Sequence, residues 1–121
     1  MASKHSSRSD EILFRGTWQI TSTDVWGDDA LGDLGPPILS FGPGRRGELR
    51  FLAITASVDY RVATRDGEPI AEFSWEGDDD GQRISGRGWA RAIPRGLAGR
   101  ILIHEGDESD FVAKRLAKAR G

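Results

Sequence analysis

Cysteine is absent from this 121-residue chain. That excludes a disulfide framework, a thiol nucleophile and thiolate metal sites, and it agrees with a reducing compartment. A charge excess of either sign is missing too, since 17 Lys and Arg stand against 19 Asp and Glu for a formal net charge of -2. So even a balance does not suit a protein that neutralises a phosphate backbone, and no nucleic acid is expected as partner. No apolar run approaches the roughly 20 residues of a bilayer helix, so no membrane partner is expected either. The opening MASKHSSRSD lacks the apolar core of a secretory signal, which points to a cytoplasmic protein. What is present is 37% hydrophobic and 30% charged residues, enough for one globular domain with a core. Sixteen glycines and four tryptophans predict tight turns and aromatic anchors.

Residues 1–11 are polar and read as a disordered leader, residues 12–116 as a single β domain, and residues 117–121 as a basic tail. From residue 14 to 25, Phe14, Gly16, Trp18, Ile20 and Ser22 alternate with polar neighbours, as in a half-buried strand. Residues 26–37, WGDDALGDLGPP, form a long acidic loop. Short strands cut by turns follow over 38–41, 48–54, 57–65, 68–76, 82–93, 97–105 and 110–116. No turn signal separates 54 from 57, so residues 48–65 are one bent strand or two, and the count is seven or eight. AKRLAKARG at the end is the sole helical candidate, too short to hold a helix alone.

The strongest turn signal, Asp66-Gly67, sets Arg65 opposite Glu68, Arg61 opposite Glu72, Tyr60 opposite Phe73 and Val58 opposite Trp75. A four-residue turn at residues 78–81 then sets Trp75 opposite Ile84, Phe73 opposite Gly86, and Glu72 opposite Arg87. One face collects Val58, Tyr60, Val62, Phe73, Trp75 and Ile84. The other collects Arg61, Glu72, Arg87, Glu76 and Arg83 as an exterior ion-pair ladder. An inverted sheet would turn that row into a buried polar pocket for an anion, but burying several charges costs more than exposing a few rings. A ring over a strand glycine marks a curved sheet, which favours a barrel.

The runs FSWEGDDD from Phe73, SGRGWA from Ser85, IHEGDES from Ile103 and FVAKR from Phe111 are similar in order and spacing to those of a group of small bacterial proteins of unknown function. That resemblance spans residues 14–115 and implies no activity. RGTWQI, around Gly16 and Trp18, resembles the Gly-x-Trp of the first strand of lipocalins and other calycins. It implies a meandering antiparallel barrel of the kind that binds small molecules. The expected fold is therefore all-β, an up-and-down meander of seven or eight strands in a small closed or nearly closed calycin-like barrel.

Chemistry-bearing residues are few. His104, with Asp107 and Ser109 nearby, forms the candidate catalytic cluster, set against the simpler reading of a polar hairpin turn. Asp28, Asp29 and Asp33, and likewise Asp78, Asp79 and Asp80, read as solvated turns, so no metal and no cofactor are expected. GPGRRG is a hairpin, lacking the Lys-Ser or Lys-Thr and the helix of a phosphate cradle. Among aromatics, Trp18, Trp26, Tyr60 and Trp75 are candidates to line a ligand site, with residues 26–37 as a lid. Arg87 and Trp89, on the outer face, are candidates for an interface with a partner or a second copy. A non-enzymatic binding protein is expected, holding a small molecule in the barrel or a protein, including a homodimer mate, outside. The alternative is a hydrolase-like or isomerase-like enzyme using His104.

Overall fold

The structure, a computed structural model, describes residues 8–116. The first seven residues, with His5 and most of the expected leader, and the tail 117–121 lie outside the described residues. Eight antiparallel strands close into a barrel in chain order: β1 (Gly16–Thr23), β2 (Ile38–Phe41), β3 (Arg46–Phe51), β4 (Ile54–Arg65), β5 (Glu68–Asp79), β6 (Gln82–Ile93), β7 (Gly96–Ile103) and β8 (Glu108–Arg115). β8 pairs back onto β1, with a bulge between Ile20 and Ser22. The meander and its closure agree with the sequence pattern.

Alternation is cleanest along β4, where Ile54, Ala56, Val58 and Tyr60 are buried and Thr55, Ser57, Asp59 and Arg61 are exposed. Such polar-out spacing is the reverse of a lipid-facing barrel, which turns its apolar band outward. Among the described residues no helix is long and apolar enough to cross a membrane.

Two aromatic groups occupy the interior. Towards one end, the Phe41 ring lies 4.7 Å from Tyr60, 5.9 Å from Phe73 and 6.2 Å from Phe14. Towards the other, Phe51 lies 5.8 Å from Trp75 and 5.2 Å from Trp26. Both ends are covered. A helix α1 (Arg8–Phe14) carries the fully buried Phe14 onto the first group. A one-turn helix α2 (Asp28–Leu31), inside the acidic loop, buries Leu31 over the second.

Several expectations are corrected. The described part of the leader is helical from Arg8, and β1 starts at Gly16 rather than Phe14. Of the two alternatives for residues 48–65, one bent strand or two, the structure has two strands turned at Leu52 and Ala53, and β4 runs without a break from Ile54 through Ser57. Leu52 sits at φ 57° and its amide donates to the Leu31 carbonyl at 3.0 Å, so a distant loop holds a turn that carries no turn residues. Residues 113–115 of the helical candidate continue β8.

The β4–β5 register is as read, including Tyr60 opposite Phe73 and Arg61 opposite Glu72. The β5–β6 register is not. Asp80 and Gly81, at φ 53° and 95°, form a two-residue turn, so Trp75 pairs with Gly86, Phe73 with Gly88, Ser74 with Arg87 and Glu72 with Trp89. The slip is two residues. It therefore leaves both faces intact while moving every cross-strand neighbour. Val58, Tyr60, Phe73 and Trp75 are buried, and Val62 and Ile84 pack half-buried against them.

Candidate functional site

Interior aromatic candidates have their polar handles committed to the fold. Trp18 Nε1 donates to the Phe14 carbonyl at 2.9 Å, the Tyr60 hydroxyl to the Gly42 carbonyl at 2.7 Å, and Trp75 Nε1 to the Arg87 carbonyl at 3.3 Å. Trp26 caps the Phe51 end, held by reciprocal bonds between its backbone and the Thr23 hydroxyl. The outer face of Trp18 is covered by Arg115, whose guanidinium carbon lies 4.1 Å from the ring centroid. The same guanidinium donates to the Arg15 carbonyl at 2.8 Å. Gly16, at φ +126°, leaves it room, since a Cβ there would stand 2.5 Å from Arg115 Nη1. These contacts explain the Gly16-x-Trp18 spacing as a tie between α1, β1 and β8.

His104, Asp107 and Ser109 are not brought together as a catalytic unit. The His104 ring is exposed in the β7–β8 turn, with Nε2 3.8 Å from a Glu105 carboxylate oxygen. Asp107 contributes its carbonyl, which accepts from the Ile103 amide at 2.9 Å. Ser109 faces inward, 1% exposed; its Oγ accepts from the Asp24 and Val25 amides at 3.0 and 3.1 Å and donates to the Asp110 carbonyl. The hydroxyl is thus fully used in anchoring the end of β1. Asp78 accepts from the Gly81 amide at 2.9 Å and serves the turn. Among the described residues no group of three His, Asp or Glu side chains is placed to hold a metal ion.

The outer face of β4–β7 is different. A groove of about 540 Å³ opens there, lined by Arg61, Glu72, Arg87, Trp89, Arg100 and Leu102 among others. β6 runs through it with a glycine at alternate positions. Gly86 and Gly88 fall at inward positions and let the strand lie directly on the Trp75 and Phe73 rings. A second groove of about 710 Å³ continues from it over the short side chains Ser57, Ser74 and Ser85, walled by Arg45, Arg46 and Arg61. Asp59, Arg61 and Ser74 belong to both.

Charge in the groove around Trp89 divides into committed and uncommitted groups. Glu72 pairs with Arg65, not with its cross-strand neighbour Arg61. Arg100 pairs with Glu108 at 2.9 Å and also with Asp110. Those partners, Glu108 foremost, raise the Arg100 guanidinium further above its ordinary value and keep it charged. The expected Arg61–Glu72–Arg87 ladder is therefore absent, and Arg61, Arg87 and Asp59 have no side-chain partner among the described residues. Trp89, half-buried, stands between Glu72 and Arg100 in one cross-strand row and next to Arg87 along β6.

Arg87 and Trp89 were legible as an outward pair. Arg61 was legible only as a rung of the ion-pair ladder, and Leu102 and the serine floor were not singled out; the two-residue slip placed Arg87 beside Glu72 instead of Ser74. The three short outward serines follow from alternation alone in either register; reading Asp80-Gly81 as a turn equal to Asp66-Gly67 would have set Arg87 beside Ser74 and Trp89 beside Glu72.

Compared with known proteins, the chain matches no family model, no curated protein and no solved structure. Its own geometry carries the functional reading.

Proposed function

We propose that the chain is a non-enzymatic binding protein whose site is the outer groove around Trp89, Arg87 and Arg61. One observation supports this most. A half-buried indole and two guanidiniums without ion-pair partners share a concavity of about 540 Å³, inside the usual range of small-molecule sites. A purely structural ladder would pair Arg61 and Arg87 with the carboxylates at hand. The interior offers a ligand less, since its rings pack on one another and both ends are covered.

The closed eight-stranded barrel agrees with the resemblance of Gly16-x-Trp18 to lipocalins and other calycins. Barrels of eight strands either fill with side chains or hold one small ligand, and this one fits the first kind. The absence of cysteine suits a cytoplasmic setting.

Native mass spectrometry of the chain purified gently from cells tests the reading. Wild type should carry an added mass that Trp89→Ala loses while its circular dichroism is unchanged. An added mass kept by Trp89→Ala but lost on Trp26→Ala, at the covered end of the barrel, would move the site indoors.

A further inference from the structure

Resting on that reading of the groove, we propose that its ligand is a small planar molecule carrying a carboxylate or similar oxyanion. Its flat body would lie on the Trp89 indole and its anionic group between Arg87 and Arg61. Sign is decided by the uncommitted charge. Four guanidiniums, Arg61, Arg65, Arg87 and Arg100, line the groove against the three carboxylates Asp59, Glu72 and Glu108, and the two guanidiniums without an ion-pair partner are Arg61 and Arg87. A cationic ligand seated on the indole would meet the unpaired Arg87 guanidinium two residues along the same strand. An anionic one meets donors whose planar fork matches two oxygens at once.

Shape is decided by the walls. Trp89 and Leu102 supply the apolar surface, and Trp89 is part-buried between its row neighbours rather than standing proud. That suits a molecule entering a concavity better than the flat face of a second copy. The serine floor of the adjoining groove offers hydroxyls to a polar extension of the same ligand.

Three naphthalene probes of similar shape separate the alternatives: naphthoate, neutral naphthamide and cationic naphthylmethylammonium. Each is titrated into nitrogen-15-labelled full-length protein while the four indole N–H resonances are followed. Naphthoate should shift the Trp89 resonance and bind at least about tenfold more tightly than naphthamide, as a charge-assisted bidentate contact implies. Molar salt should weaken it, because screening then acts within about 3 Å. Arg61→Gln with Arg87→Gln, both exposed positions whose change leaves the melting temperature in place, should bring naphthoate down to the naphthamide affinity. If naphthamide or the ammonium binds at Trp89 as well as naphthoate does, the anionic class is wrong and the groove remains the site. If no probe moves the Trp89 resonance, the ligand class and the groove reading both fall.

Discussion

At Gly88 an added Cβ would stand 2.5 Å from Phe73 Cζ and 2.6 Å from the Arg100 carbonyl oxygen. At Gly86 it would stand 1.9 Å from the Leu102 carbonyl oxygen and 2.6 Å from Trp75 Cζ2. Neither neighbour can retreat, because both rings are in the core and both carbonyls belong to β7. Gly88→Ala should therefore cost about 1–3 kcal/mol, the usual range for overpacking, and flatten the outer groove with it. Gly27→Ala, where a Cβ meets nothing within 4 Å, serves as control and should leave the urea midpoint unmoved. Equal midpoints for the two variants would show that the ring-on-glycine contact does not shape β6. Ser109 makes a second prediction at this scale. Removing its hydroxyl strips the Asp24 and Val25 amides of their acceptor, so Ser109→Ala should lose about 1–3 kcal/mol of stability. A catalytic serine would instead be replaced with little effect on the melting temperature.

Among the elements, the strands and their closure were legible in the sequence, and the β3–β4 turn and the helix that covers one end were not. Alternation over residues 54–65 and the Asp66-Gly67 turn carry their own physical signal, period two and a left-handed pair of turn residues. The Leu52–Ala53 turn carries none, because its strained Leu52 is held by the Leu31 carbonyl from a loop some twenty residues earlier. Helix α1 is equally silent. Seven residues cannot sustain a helix by propensity, and what holds this one is Phe14 in the core and Arg115 at the far end of the chain. Arg115→Ala should then destabilise the fold by about 1–2 kcal/mol, from a cation–π contact and one or two hydrogen bonds. Its sharper signature is local: amide exchange should accelerate in α1 and at the start of β1, and stay slow in β4–β6. Uniform acceleration across the barrel would mean that Arg115 supports the whole closure rather than the α1 plug. Arg115→Lys should recover little, since an ammonium cannot both cover the Trp18 ring and reach the Arg15 carbonyl.

For the molecule as a whole, closure of β1 on β8 and the two covered ends make the interior a side-chain core, and the sheet's outside becomes the place where chemistry is exposed. How the interior rings pack could not be read from the sequence. Trp18, Tyr60 and Trp75 look like ligand contacts when only their types and faces are known. The structure shows that their N–H and O–H groups are committed to the Phe14, Gly42 and Arg87 carbonyls. Arg87 and Trp89 were visible as an outward pair, yet their neighbours in the groove needed the β5–β6 register and the β6–β7 pairing to appear. Because the turn at Asp80 and Gly81 is built on a single Asp78 bond to the Gly81 amide, calcium or magnesium at micromolar concentration should leave the melting temperature unchanged. The most direct test of the central claim, that ligands meet the outside of this barrel and not its interior, is the indole N–H spectrum. It should be recorded while a small-molecule extract of the protein's own cells is added to labelled protein. Trp89 should shift and the core indoles of Trp18 and Trp75 should stay in place; shifts at Trp18 or Trp75 with Trp89 unmoved would put the ligand inside the barrel and contradict the claim.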